Sequence, residues 1–431
     1  MILTLTMFLV FLVGGIALGL PIAIALIFCG ICTALYLGGS NANVQIIATK
    51  LMSGTDSVTM MALPFFVMAG ELMNRGGLTK RIINFCNIFV GRVKGGLGYV
   101  TILACLMFAS LVGSAVASTA ALGAILIPMM ARSGYDRAKA AGLVASANIV
   151  APIMPPSIPM IVYGVSAGVS IKSLFMGGIF PAIYFTVIMC GVWFFVCRKD
   201  GIKSNEPPLS FRETIKVFLS GLWALLLPVI ILVGLRGGVF TATEAGVVAV
   251  VYALFVGVVV YRELTLKDLF TSFISAAKMS AVVMFLAAAA NVAAYLMTVS
   301  RIPQAITESL SGLTSHPLLL MTILMTIIIV MGTCVDVVPT ILIMTPIMLP
   351  LITAAGIDKV YFGIVFTLAN VLGLTSPPVG PVLNVACATG KVRMEEIIKP
   401  VMPYYIFQMA LVYLFILFPE LITVPLGWLG G

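Results

Sequence analysis

The sequence predicts an all-α, polytopic membrane fold built around an internal inverted repeat. Three observations predict it. Hydrophobic residues make up 61% of the 431-residue chain, charged residues only 9%, and the mean hydropathy is +1.19; a soluble domain carries about 25% charged residues. Apolar runs of about 20 residues, the length a helix needs to cross a bilayer, recur from end to end, and they lack the period-two alternation of a transmembrane β-barrel. Two distant stretches, "GYDRAKAAGLVASANIVAPIMPPSIP" (134–159) and "GIDKVYFGIVFTLANVLGLTSPPVGP" (356–381), also share one register.

The elements follow from hydropathy and from the rule that Lys and Arg gather in cytoplasmic loops. The first apolar run, Ile2 to Leu37, has no basic start and outruns the 7–15-residue core of a signal peptide. It forms one tilted helix or two shorter ones broken at Gly19-Leu20-Pro21. Four basic connections are expected inside: Lys80 to Lys94, Arg198 to Lys216, Arg262 to Lys278 and Lys391 to Lys399. Residues 97–130 are apolar, with Gly113-Ser114 and Ser118-Thr119 in their middle, and basic connections flank them on both sides. This pattern predicts a re-entrant hairpin that enters and leaves through the cytoplasmic face. Residues 140–165 then cross outward, 175–197 inward, 217–235 outward, 239–261 inward and 279–299 outward. Residues 318–350, with Gly332-Thr333 and Asp336 near the middle, predict a second re-entrant hairpin, opened from outside. Residues 360–388 cross inward and 401–428 outward, which leaves the C-terminus periplasmic. The chain thus divides into N-terminal scaffold helices (1–75), a first transport repeat (76–200), central scaffold helices (201–300), and a second repeat with the C-terminal helix (301–431).

The repeat is the most informative feature. Each residue of the second copy stands 222 positions after its mate: Gly134 and Gly356, Asp136 and Asp358, Asn148 and Asn370, Pro155-Pro156 and Pro377-Pro378, Pro159 and Pro381. Two unrelated apolar helices would share Leu or Val by chance, but not this set in one register. By the topology above the copies run in opposite directions, and inverted repeats with broken helices at mid-membrane are the signature of secondary transporters. Proline removes a donor and frees carbonyls of the preceding turn. In hydrocarbon such groups need partners. A bound cation such as sodium supplies one, while half-helix N-termini attract carboxylate.

Other signals narrow the chemistry. The net charge of +9 lies in loops, so the membrane explains it without nucleic acid. No GxxxxGK[ST] loop occurs, so this chain hydrolyses no ATP. His316 is the single histidine; a His-based metal cluster is ruled out, a catalytic triad is argued against, and no enzymatic activity is expected. Cys29-Gly-Ile-Cys32 reads as packing, since no second pair accompanies it. Glu71 and Glu244 read as structural. Asp336, a carboxylate at membrane depth, is functional by default, with capping of the following half-helix as the competing reading.

"GSAVASTAALGAILIPMMARSGYDRAKAAGLVASANIVAPIMPPSIPMIVYG" (113–164), "LPFFVMAGELMNRGGLTKRI" (63–82) and the second copy resemble the large membrane subunit of tripartite ATP-independent periplasmic (TRAP) transporters. The resemblance covers essentially the whole chain. It implies an inner-membrane permease that moves an organic acid with sodium, by an elevator motion of the hairpin-bearing domain. A periplasmic binding protein would deliver the acid, and a small four-helix membrane subunit on a separate chain would complete the complex. No cofactor is implied beyond Na+ as coupling ion. Carried over by residue, one sodium site would use Gly113, Ser114, Ser118, Asn148, Val150 and Pro152. The other would use Gly332, Thr333, Asp336, Asn370, Leu372, Gly373 and Thr375. Substrate carboxylate would lie near Ser114, Ser157 and Tyr163. Many members carry Asp where this chain has Ser118. "PPVGPVLNV" resembles members that handle sialic acid or sugar-derived keto acids, whereas the family's name-giving substrates are C4-dicarboxylates. A stand-alone sodium–anion symporter of similar fold, needing no binding protein, is the alternative.

Overall fold

Every regular element among the described residues of the computed structural model is helical; the structure describes all residues except 1–6, 8, 9, 13, 16, 17, 39–43, 201–209, 303, 305–310 and 431. Among them, seven helices are long and apolar enough to cross a membrane, and several shorter apolar helices accompany them. Near the N-terminus the described residues favour two segments. Helical residues as far as Gly15 are followed by a turn with Gly19 at φ +82°, and Pro21 caps the helix Ile22–Leu37. Proline opens a helix well and continues one badly, which places the break.

One group of helices forms a frame. Ala62–Arg75 packs on Ala242–Phe255 and on the long helix Leu266–Val299, which also carries Ile22–Leu37. Small residues permit the approach: a Cβ on Gly54 would fall 2.8 Å from the Ala288 main chain. Two expected loops are helical instead. The long helix begins at Leu266, not near 279, because Thr265 and Asp268 form a capping box (Thr265 N to Asp268 Oδ2 3.1 Å, Asp268 N to Thr265 Oγ1 3.2 Å). Within Lys80 to Lys94, Leu78–Val90 is an amphipathic helix that buries Leu78, Ile82, Ile83 and Cys86 and exposes Lys80 and Asn84. These two basic segments meet: Arg81 pairs with Glu263 at 2.7 Å and lies 3.7 Å over the Tyr261 ring. They therefore share one end of the molecule, as the charge pattern requires. Arg236 reaches the Trp428 carbonyl at 3.3 Å, which puts the 237–241 turn and the C-terminal segment together as well. The expected span 401–428 is interrupted. Met394–Leu417 stops at Phe418-Pro419, and Glu420–Trp428 follows as a separate helix.

The repeats form the rest. Gly96–Val112 and Ala115–Arg132 make the first hairpin; Pro317–Gly332 and Val337–Ala354 make the second. The broken helices are Arg137–Asn148 with Ile158–Ala167, and Lys359–Leu374 with Pro381–Gly390. The second hairpin arms begin and end in repeat register. So do the caps: Asp136 accepts from Lys139 N at 2.9 Å and Asp358 from Tyr361 N at 2.7 Å. Both proline pairs are cis.

Contacts across the repeats fix their relative direction. Tyr163, beyond the first break, donates to the Lys359 carbonyl at the start of the second broken helix (2.7 Å). Gly390, beyond the second break, lies against Ala141 near the start of the first; a Cβ there would sit 3.1 Å from the Ala141 Cβ. The two broken helices therefore run antiparallel. The repeats also exchange partners: Met394–Leu417 packs on Arg137–Asn148, and Ile171–Asp200 packs on Lys359–Leu374. The Tyr163 ring presses on Gly363, where an added Cβ would lie 2.0 Å from it. Gly363→Ala should therefore cost about 1–3 kcal/mol of overpacking, visible as a lower melting temperature in detergent.

Candidate functional site

Both hairpin tips open onto one cavity of about 150 Å³. Gly113, Ser114 and Ala115 line it from the first tip, and Asp336 to Pro339 from the second. Ser114 and Asp336 are repeat mates, and each is the N-cap of its hairpin's second arm. Ser114 accepts from Ala117 N (3.4 Å), and Asp336 Oδ1 accepts from Val337 N (2.8 Å). Two positive helix ends thus face one space, the arrangement that attracts an anion. Asp336 is the single charged side chain in the described lining, and no Lys, Arg or His stands there. It is therefore a helix cap that also lines the cavity.

The tips rest on the breaks through glycine. A Cβ on Gly113 would fall 3.2 Å from Ile158 N; one on Gly332 would fall 2.4 Å from the Asn370 carbonyl oxygen. Gly113 also has φ +65°, the left-handed conformation that suits glycine at a helix end.

At the breaks themselves the main-chain oxygens are better satisfied than proline alone suggests. The Val150 carbonyl accepts from Ile153 N (3.1 Å) and Met154 N (3.0 Å), and the Pro152 carbonyl takes the Ser157 hydroxyl. The Leu372 carbonyl accepts both the N–H (3.1 Å) and the hydroxyl (3.0 Å) of Thr375, and Gly373 accepts from Ser376 N (2.9 Å). Tight turns after each break re-use these carbonyls. The orphaned atoms are side chains. Asn148 Nδ2 donates to Val144 O at 2.9 Å and leaves Oδ1 without a partner; Asn370 has neither Oδ1 nor Nδ2 paired. Both asparagines are fully buried. Ser118 Oγ and Thr119 Oγ1 are buried and unpaired too. Buried polar groups of this kind are rare without a ligand or water. Hydroxyl and amide oxygens suit a hard cation, so the set is compatible with sodium. Thr333 donates to Val330 O at 2.8 Å.

Of the residues expected at substrate, Ser114 lines the cavity. Ser157 does not: it is fully buried, donates to Pro152 and caps Ile158–Ala167 by accepting from Met160 N (3.3 Å). Tyr163 is also away from the cavity, packed on Phe362 and Phe366 as a strut between the repeats. Tyr163→Phe should lower stability by about 1 kcal/mol, the worth of one hydrogen bond, and leave uptake affinity unchanged; a shift in affinity would place Tyr163 at the substrate after all.

Pro152, Ile158 and Pro159 line the cavity from the first break, and sequence reasoning missed the remaining wall. Met279, Val282, Val283 and Leu286 line the cavity from the long helix. Their i, i+3, i+4, i+7 spacing is one helical face, a signal hidden among uniformly apolar neighbours.

The family model for "Tripartite ATP-independent periplasmic transporter, DctM component" matches residues 8–421. A putative TRAP transporter large permease protein of Haemophilus influenzae is 47% identical, over 99% of this chain and 100% of its own length. The 2,3-diketo-L-gulonate TRAP transporter large permease protein YiaN of Escherichia coli is 46% identical, over 97% and 98%. Relatives at 32% and 34% identity, covering 94% and 90% of this chain and 95% and 91% of their own, are named for sialic acid (Vibrio cholerae) and C4-dicarboxylates (Pseudomonas aeruginosa). Among solved structures, the Alcanivorax borkumensis YdaH transporter superposes with a TM-score of 0.63 at 13% identity, over 90% of this chain and 91% of that one; this likeness concerns the fold alone.

Proposed function

The chain belongs to the DctM component family of the tripartite ATP-independent periplasmic transporters, and on that premise we propose that it is the large permease of a sodium-coupled uptake system for a hydroxylated organic monoacid. The observation that carries this reading is the meeting of repeat mates Ser114 and Asp336, each at a helix N-terminus, in one cavity. Substrate carboxylate belongs at the Gly113–Ala115 end, where main-chain N–H groups and the helix dipole favour negative charge. Asp336 stands at the opposite tip. It repels a second carboxylate and accepts hydrogen bonds from hydroxyls. A sugar-derived acid, of the kind named for YiaN or for the sialic acid permease, fits this charge pattern better than a C4-dicarboxylate.

Sodium is assigned to the two junctions of tip and break. Asn148 and Ser118 serve the first, with Gly113 and Ser114 nearby; Asn370 serves the second, with Gly332, Thr333, Gly373 and Thr375. Occupied junctions hold the tips against the breaks, which couples ion binding to the shape of the cavity. The hairpins are read as re-entrant, and the repeats as an elevator that slides past the frame. The frame meets the first hairpin closely at Gly70, where a Cβ would fall 2.8 Å from the Leu111 carbonyl. A periplasmic binding protein delivers substrate. A small membrane subunit completes the complex, since a relative named DctMQ is longer and this chain covers 62% of it. The family points to the inner membrane, and the four basic segments support a cytoplasmic side for those connections and hence a periplasmic C-terminus.

Uptake into proteoliposomes tests the reading. Accumulation of a sugar acid should require an inward sodium gradient and the cognate binding protein, and succinate should compete at least about tenfold less well than the sugar acid. Uptake without a binding protein would instead identify a stand-alone symporter. Equal competition by succinate would remove the charge argument at Asp336.

A further inference from the structure

Thr186 and Gln408 are repeat mates, 222 positions apart, and they face one another across a small void deep between the repeats. Thr186 lies on Ile171–Asp200 and Gln408 on Met394–Leu417. The end of the first broken helix, from Ser146 to Val150, closes the third side. Ser146, Thr186 and Gln408 are all buried, at 1%, 8% and 0% exposure.

Their hydrogen bonds can be counted. The helix break turns the Val150 N–H toward the Ala147 carbonyl (3.5 Å), so the Ser146 carbonyl loses its ordinary helical donor. Gln408 Nε2 replaces it at 3.0 Å and gives its other hydrogen to Met189 Sδ, also at 3.0 Å. The bond to the Ser146 carbonyl fixes which end of the amide is nitrogen, because the flipped amide would set oxygen against oxygen. Gln408 Oε1 is then left without a protein donor, and Ser146 Oγ has no partner either. Thr186 gives its proton to the Ala182 carbonyl at 2.8 Å and keeps lone pairs to accept with.

The void measures about 10 Å³, close to the least space one water needs. An occupant must donate to Gln408 Oε1, donate to Thr186 Oγ1 and accept from the Ser146 hydroxyl. A water molecule does all three, the usual number of bonds for a buried water. A sodium ion is served less well, since no carboxylate lines the void and a space of this size leaves no room for the further waters that would complete its shell.

We propose that this void is a binding site for one structural water, hydrogen-bonded to Ser146, Thr186 and Gln408. The water joins the first broken helix to both exchanged helices two residues before Asn148. It fixes that helix end with no charge of its own.

The test is a cryo-EM map of the protein in lipid nanodiscs, at a resolution that shows ordered water, recorded once in sodium and once in sodium-free choline buffer. A peak within hydrogen-bonding distance of the three oxygens, about 2.7–3.2 Å, should appear in both. A peak present only in sodium would make the void a cation site and overturn the proposal, and so would an absence of density in both. Ser146→Ala gives a separate readout. The sodium concentration for half-maximal uptake should stay within about twofold of the parent protein. A tenfold rise would show that the hydroxyl is an ion ligand. Neither map depends on which acid is carried, so failure here leaves the transport reading standing.

Discussion

Asp336→Asn should lower sodium-dependent uptake at least about tenfold while leaving the melting temperature almost unchanged. Asparagine caps a helix about as well as aspartate, so the bond to Val337 N survives the change. What disappears is the negative charge that faces the cavity. A hydrogen bond to a charged group is worth about 1.5–3 kcal/mol, or roughly 10- to 150-fold in affinity. Asp336→Ala should lose the same factor and also the cap, at a further cost of about 1 kcal/mol in stability. Comparing the two variants separates the roles. If Asp336→Asn transports at the parent rate and only Asp336→Ala is impaired, the residue is a cap and nothing more.

Gly332→Ala should disable the second tip. The added methyl would lie 2.4 Å from the Asn370 carbonyl oxygen and 3.0 Å from the Gly373 Cα. Both are main-chain atoms, so neither can rotate away. Hairpin and broken helix must separate, at about 1–3 kcal/mol by the usual cost of overpacking. The gain in helix propensity from Gly to Ala, about 1 kcal/mol, offsets part of this, so the fall in melting temperature will be modest. The larger effect should be on sodium: the half-saturating concentration should rise about tenfold, because the oxygens around Asn370 lose their spacing to the tip. Gly373→Ala presses on the same contact from the other side, with Gly332 Cα at 2.5 Å. The double variant should therefore cost less than the sum. Unaltered sodium dependence in both single variants would mean that the junction holds no ion.

The sequence made the repeat legible because its signals are chemically specific. Asp136 and Asp358 cap the same turn, and the paired asparagines and prolines mark the same break, so mates could be matched among interchangeable Leu and Val. The tips were legible for a related reason: Gly113-Ser114 and Gly332-Thr333 interrupt long apolar runs, where small polar residues stand out. Three things were not legible. Whether a freed carbonyl stays free depends on the turn that follows, and Thr375 and Met154 supply donors that no count of prolines reveals. Which side chain meets the cavity depends on helix phase: Ile158 and Pro159 turn toward it, while Ser157 turns back to Pro152. The frame's face at Met279 to Leu286 belongs to a stretch of helix, 279–290, that is apolar nearly all round, so periodicity could not single it out.

The exchange of partners between the repeats bears on how the chain is made. Gln408 satisfies a carbonyl 262 residues upstream. A ribosome extends the chain at roughly 5–20 residues per second, so the first broken helix waits on the order of ten seconds or more for the group that completes it. Through that interval its open main chain cannot rest against lipid tails, where unsatisfied polar groups cost several kcal/mol each. Nascent protein must stay beside water or the insertion machinery until the last long helix arrives. Truncation before Met394 should therefore yield a product cleared by proteolysis rather than a stable half-transporter.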